Sequence, residues 1–241
     1  MKILIADKLS SSAVAALKNL GCSVTLNPDL SADDLPAHIA DHDVLVVRST
    51  RVTAETINAA HSLSLIIRAG AGVNTIDLDT ASSHGIYVAN CPGQNTQAVA
   101  ELTIGLMVAT DRRIVNAAEE LRAGSWNKKE YSKSNGLAGR TLGIIGLGSI
   151  GKAVAKAAQG LNMNVIAWSR SFTPEKEAEF DIGYSASPHE LAQKADVVSV
   201  HIAAVAETKH LCDEAFFARM KDGAIFINTS RGDVVDTAAL K

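Results

Sequence analysis

The sequence predicts an α/β protein built from two parallel-sheet domains in tandem. Short runs rich in Val, Ile and Leu alternate with amphipathic stretches along most of the chain, the pattern of repeated strand–helix units. Several runs, such as Val44-Leu45-Val46-Val47, are continuously apolar, as strands covered on both faces must be. Of the 241 residues, 47% are hydrophobic but only 4% aromatic. The core stock is therefore aliphatic, and the length suits two small domains.

The elements follow in order. Ile3 to Ala6 reads as a strand. A serine at 10, 11 or 12 caps a helix that runs to Leu20 and stops at Gly21. Cys22 to Leu26 is the second strand. Ser31-Ala32-Asp33-Asp34 opens a helix with its acids at the positive end. Val44 to Val47 is the third strand, and Thr53 caps a helix to about Ala60. Leu65 to Ile67 and Ile86 to Val88 are the fourth and fifth strands. Cys91-Pro92-Gly93 breaks the pattern, with a hinge expected near Cys91 to Asn95. One long helix is expected from about Gln97 to Ala123, spanning two domains or lining a dimer interface, and a polar linker from Trp126 to Gly139.

Alternation then restarts. Thr141 to Ile145 is a strand, Ser149 to about Gln159 a helix, and Val165 to Trp168, Val197 to Val200 and Ala224 to Ile227 are strands. Asp236 opens a helix that has no stop signal by Lys241, so the second domain is expected to be cut short. The expected domains are residues 1–95 and 96–241.

Charge and cysteines exclude several classes. There are 23 basic and 26 acidic residues, a net charge of -3. No basic excess suits nucleic acid or an anionic membrane, so any anion site must be local. Met1 to Asp7 is too short an apolar run for a signal peptide or a membrane span. Cys22, Cys91 and Cys212 form neither a metal spacing nor a disulfide framework, which predicts a reducing, cytoplasmic setting. No metal site is expected. His38, His42, His61, His84, His189 and His210 fall in helical or loop segments and read as surface residues.

Gly146-Leu147-Gly148-Ser149-Ile150-Gly151 carries the chemistry. It follows one strand directly, opens a helix and precedes another strand, the context of a dinucleotide-binding turn in a Rossmann domain. Gly146 permits the tight turn, Gly148 admits a pyrophosphate, and Gly151 permits close helix–strand packing. The N–H groups of Ser149 and Ile150 would face the phosphates. About 20 residues on, an NAD site carries an acid for the ribose 2′-hydroxyl. This chain has Trp168-Ser169-Arg170-Ser171 instead. Ser169 and Arg170 could take a 2′-phosphate, or Arg170 could stack on the adenine, so NAD and NADP both stay open.

Val47-Arg48-Ser49, Arg68-Ala69-Gly70-Ala71-Gly72-Val73-Asn74, Val99-Ala100-Glu101-Leu102-Thr103, the glycine turn and Asn228-Thr229-Ser230-Arg231-Gly232 occur in that order. The set, which spans the whole chain, resembles the D-isomer-specific 2-hydroxyacid dehydrogenases. The resemblance implies two Rossmann/flavodoxin-like parallel-sheet domains, a substrate domain then an NAD(P) domain, with the reaction in the cleft between them. It implies hydride transfer between NAD or NADP and a D-2-hydroxy or 2-keto acid, D-3-phosphoglycerate foremost. A glyoxylate or hydroxypyruvate reductase, and a non-catalytic dinucleotide sensor, are the alternatives. A homodimer or higher homo-oligomer is implied as well.

By the same resemblance, Arg231 is the catalytic arginine. A guanidinium there can grip a carboxylate with two parallel bonds and polarise the reacting oxygen. Gly70, Ala71 and Gly72 offer backbone N–H groups to the substrate carboxylate, and Asn95 sits at the hinge. Ala71, His201, Ile202, Ala203, Thr229, Ser230 and Arg231 fall at cofactor-contact positions. Arg48 and Ser49, with Arg68, are candidates for a substrate phosphate. Arg51 ranks behind them, because the loop 48–53 is one residue shorter than is usual. Ala203 and Ala204 replace a proline-containing pattern, so their loop is expected to be less restrained. The family's acid/base histidine and its glutamate partner lie in motifs that have no counterpart up to Lys241. The chain as it stands is therefore expected to be a truncated form with little or no turnover.

Overall fold

A computed structural model describes residues 1–241. The chain forms two units, Met1–Asn95 and Thr96–Lys241. In the first, β1 (Lys2–Ile5), β2 (Ser23–Leu26), β3 (Val44–Val47), β4 (Leu65–Arg68) and β5 (Tyr87–Asn90) make an all-parallel sheet of order β2-β1-β3-β4-β5. Its helices are α1 (Ser11–Asn19), α2 (Leu35–His38), α3 (Ala54–Asn58) and α4 (Leu78–Ser83).

The second unit begins with α5 (Thr96–Asp111), α6 (Ile114–Arg122) and α7 (Lys128–Tyr131). There follow β6 (Thr141–Ile145), α8 (Ser149–Gly160), β7 (Asn164–Trp168), α9 (Glu177–Phe180), β8 (Gly183–Tyr184), α10 (Pro188–Lys194), β9 (Val197–Val200), α11 (Glu214–Phe217) and β10 (Ile225–Asn228). The strands are again all parallel, in the order β10-β9-β6-β7-β8.

Each sheet separates two aliphatic layers. In the first unit Leu4, Leu45 and Ile66 pack on one face, while Ile3, Ile5, Val44 and Val46 pack on the other. In the second, Leu142, Ile144, Val165 and Val197 oppose Ile145, Val198 and Val200. Burial on both faces explains the continuous apolar runs, each such side chain contributing about 1.5–3 kcal/mol. Strand order reverses between β1 and β3 in one sheet and between β6 and β9 in the other. The loops leaving the carboxyl ends of those strands diverge there and leave a crevice, the usual ligand position in open α/β sheets.

Helix starts follow the caps. Ser10, Thr53, Asp77, Ser187 and Asp213 each accept a first-turn N–H, at the starts of α1, α3, α4, α10 and α11. The helix α8 differs, for it starts on Gly148, which has no side chain to cap it.

Three sequence expectations are corrected. The single helix expected from Gln97 to Ala123 is two helices, because Arg113 adopts a left-handed conformation (φ 50°) between them. That costs about 1–2 kcal/mol and is offset by tertiary contacts. The Arg113 guanidinium pairs with Glu130 at 2.8 Å and lies 5.0 Å from the Tyr131 ring centre. Next to it, Asp111 pairs with Arg140 at 3.1 Å, with little exposure of either side chain. The helix expected to open at Ser31 is only the single turn α2, since the Asp34 carboxylate turns back to accept from Ser31 N and Oγ, at 3.0 and 2.6 Å. The expected linker of 126–139 contains α7. The elements α4, α9, β8, α10 and α11 are not anticipated from the sequence.

Around the glycine turn, packing leaves no room for side chains. Gly146 has φ 100°, and a Cβ there would come within 2.5 Å of Ile202 Cγ2 and 2.7 Å of the His201 carbonyl oxygen. A Cβ on Gly151 would collide with the Gly146 carbonyl oxygen, which is backbone and cannot swing away. Gly148, by contrast, has nothing within 4 Å of its Cβ position and an ordinary φ of -79°. The G151A variant is therefore expected to lose about 1–3 kcal/mol of stability through overpacking. G148A should stay within about 1 kcal/mol of wild type. Urea denaturation of the two variants checks this, and equal losses would contradict it.

Candidate functional site

In the second unit, the carboxyl ends of the strands gather most of the residues singled out for the cofactor. Gly146 to Gly151 leaves β6, Ser169 and Arg170 leave β7, His201 to Ala203 leave β9, and Thr229 to Arg231 leave β10. Gly146 N donates to the Trp168 carbonyl at 2.8 Å, which fixes the glycine turn beside the end of β7. The first turn of α8 carries backbone N–H groups that its own helix cannot satisfy. With glycine as the cap, those of Ser149 and Ile150 meet no capping side chain. They form a local positive end suited to an anion. The open space over Gly148 and the closed space at Gly146 and Gly151 fit a pyrophosphate laid on this turn.

The loop after β10 is held by its own side chains. Asn228 Oδ1 accepts from Ser230 N at 2.9 Å and from Ser230 Oγ at 2.7 Å, while Asn228 Nδ2 donates to the Arg231 carbonyl at 2.8 Å. Thr229 Oγ1 lies 3.0 Å from Oγ1 of the buried Thr103, whose hydroxyl donates to the Val99 carbonyl. This contact joins α5 to β10. Arg231 is half-buried, and its Nη1 donates to the Ser230 carbonyl at 2.9 Å.

Burial pushes the His201 imidazole down to about 4, from an ordinary value near 6.5. Its Nε2 is 2.8 Å from the hydroxyl of the fully buried Ser199. A neutral ring results near pH 7, adding no charge to the crevice. The loop of Ala203 and Ala204, expected to be less restrained, is pinned by Thr208, whose hydroxyl donates to the Ala203 carbonyl at 2.7 Å and accepts from Val205 N at 2.9 Å.

In the first unit the carboxyl ends gather Arg48 and Ser49 after β3, Arg68 to Gly72 at and after β4, and Asn90 at the end of β5. Arg68 Nε donates to the Arg48 carbonyl at 3.1 Å. The Arg68 guanidinium lies over Gly70, where a Cβ would come within 2.5 Å of Nη1. Asn90 Nδ2 donates to the Ala71 carbonyl at 2.6 Å, and Cys91 N to the Gly70 carbonyl at 3.0 Å. The turn 70–72 is thereby held beside a cation. Arg51 and Asn95 are exposed and are not tied to this group.

Asp7 was not anticipated. Its Oδ2 accepts the backbone N–H groups of Arg48, Ser49 and Thr50 at 2.7, 3.0 and 3.1 Å. Partial burial alone would raise its pKa, but these donors outweigh that and hold it below the usual aspartate value. The carboxylate thus fills the crevice between β1 and β3 and uses the amides of the following loop. Any anion bound there must be held by the Arg48, Ser49 and Arg68 side chains. Strand order could have flagged Asp7, as the residue leaving β1 at the reversal.

Residues 104–241 match the family described as D-isomer specific 2-hydroxyacid dehydrogenase, NAD binding domain. The chain is 39% identical over its whole length to a D-3-phosphoglycerate dehydrogenase of Archaeoglobus fulgidus, and spans 45% of that protein. It is 38% identical to a hydroxypyruvate reductase of Thermotoga maritima, covering 99% of this chain and 77% of the relative. Among solved structures, a Thermus thermophilus protein superposes with TM-score 0.90 at 34% identity, over all of this chain and 77% of that one. An acyclic imino acid reductase in complex with NADPH and D-Arg gives TM-score 0.90 at 30% identity, over 100% and 78%. With the family match over more than half of the chain, and relatives of this kind along all of it, the chain belongs to the D-isomer-specific 2-hydroxyacid dehydrogenase family.

Proposed function

We propose that the protein moves a hydride between a nicotinamide dinucleotide and a D-2-hydroxy acid, D-3-phosphoglycerate foremost. The observation that carries this reading is the glycine-capped start of α8 at the strand-order reversal, open over Gly148 and closed at Gly146 and Gly151. Bound there, the dinucleotide supplies the hydride acceptor, or the donor in the reverse direction. The chain's own residues bind and orient. The amides of Ser149 and Ile150 hold the pyrophosphate. Ile202, Ala203, Thr229 and Ser230 line the cofactor, and His201 stays neutral beside it.

Arg231 binds the substrate carboxylate and polarises the oxygen at the reacting carbon, since a fixed cation favours the charge that develops there. In the first unit, the backbone of Gly70, Ala71 and Gly72 offers N–H groups to a carboxylate, and Asn95 is a substrate-orienting residue. Arg48, Ser49 and Arg68 take the phosphate through their side chains. Residues 1–95 would then form the substrate domain and residues 96–241 the cofactor domain. No helix is long and apolar enough to cross a membrane. We place the protein in the cytoplasm, which the three free cysteines support. We further read it as a homo-oligomer, which the exposed Leu102, Leu106, Ile114 and Val115 of α5 and α6 support.

A second reading, a reductase of unphosphorylated hydroxypyruvate, is favoured by one observation: the chain is 38% identical to the Thermotoga reductase, against 39% to the Archaeoglobus dehydrogenase. The two separate on ligand choice. In the presence of NADH, 3-phosphoglycerate should raise the melting temperature more than glycerate, and R68A should remove that difference. Equal shifts would favour the second reading. R231A should abolish the increment from either acid while keeping the increment from NADH. Loss of the NADH increment alone would overturn the role given to Arg231.

The His201 ring should titrate near pH 4. The unfolded chain, with an ordinary histidine, takes up this proton first, so stability falls as pH drops from about 6.5 towards 4. An NMR titration of the imidazole resonances checks this, and a midpoint near 6.5 would contradict it.

A further inference from the structure

We infer that the turn Ser169–Phe172 is a 2′-phosphate site and that the protein selects NADPH over NADH, an inference that rests on the dinucleotide reading above. Phe172 N donates to the Ser169 carbonyl at 3.2 Å, closing a four-residue turn. Its two central residues, Arg170 and Ser171, are exposed. The next residue, Phe172, is buried, its ring centre 6.3 Å from that of Phe180 and 6.2 Å from that of Tyr184. This anchor fixes a turn whose tip carries only polar side chains.

The turn starts where β7 ends, joined to the glycine turn through the hydrogen bond of Gly146 N to the Trp168 carbonyl. That is the side of the glycine turn on which the adenosine ribose lies in dinucleotide folds. Four features favour a phosphate there. Ser169 stands where an acid would bind a free 2′-hydroxyl. The Arg170 guanidinium makes no hydrogen bond or ion pair within the protein. Lys176 folds back so that its Nζ donates to the Ser171 carbonyl at 2.7 Å, bringing a second cation to the turn. The nearby acids are engaged elsewhere: Glu177 accepts from Tyr184 N, and Glu175 is held by the Thr173 hydroxyl.

A ribose hydroxyl would leave Arg170 without a counter-charge, whereas a 2′-phosphate pairs with it through charge-assisted bonds. Arginine stacked on the adenine is the competing role, and it serves both cofactors alike.

Calorimetric titration of the protein with NADPH and with NADH tests this, alongside R170A and S169D, with circular dichroism confirming that each variant is folded. The wild type is expected to bind NADPH roughly tenfold or more tightly than NADH, as a charged hydrogen-bond pair supplies. R170A should lose most of that preference by weakening NADPH alone. S169D should reverse it, repelling the phosphate and accepting from a ribose hydroxyl. Equal or tighter binding of NADH by the wild type overturns the inference while leaving the dinucleotide site in place. So does a loss in R170A that is equal for both cofactors, which assigns Arg170 to stacking. Failure of the folded wild type to bind either cofactor overturns the dinucleotide reading itself.

Discussion

The close approach of the start of α8 to the end of β6 sets the geometry of the second unit. The Gly146 carbonyl lies so near Gly151 that a methyl group cannot be accommodated there. This contact seats Val154, Ala155 and Ala158 of α8 against the sheet layer that holds Leu142 and Ile144. It also aims the first amides of α8 out of the carboxyl end of the sheet. Five other helices satisfy such an amide with a serine, threonine or aspartate, whereas α8, capped by Gly148, has no side chain to do so.

The anion sites are local for a related reason. A chain of net charge -3 has no general field to attract phosphates or carboxylates. The second unit uses a helix terminus and a few cations placed where strands end. The first unit treats its crevice differently. Its amides after β3 are already occupied by the Asp7 carboxylate, so its affinity for an external anion falls to the arginine side chains. The same fold geometry thus leaves backbone donors open at the crevice of one unit and only side-chain donors at that of the other.

What could be read in the sequence follows from how local each determinant is. Strands such as Val44–Val47 and Thr141–Ile145 were legible because their burial is written in consecutive residues. The glycine turn was legible because its strand and helix adjoin it. The break at Arg113 was not, for its left-handed backbone depends on Glu130, 17 residues away. The strand β8 has only two residues, Gly183 and Tyr184, too few to show a period. Asp7 went unnoticed because its partners lie 41 to 43 residues along the chain. Arg231 was recognised only by its motif. The structure adds the physical reason for that motif, since Asn228 shapes the loop and Thr229 meets Thr103 of a distant motif on α5.

The most direct measurement is an amide NMR titration of the protein with NADPH. The largest shifts should fall on Gly148, Ser149 and Ile150, with further shifts at residues 169–171 and 201–203. Shifts confined to residues 1–95, or a glycine turn left unmoved while the dinucleotide binds, would contradict it.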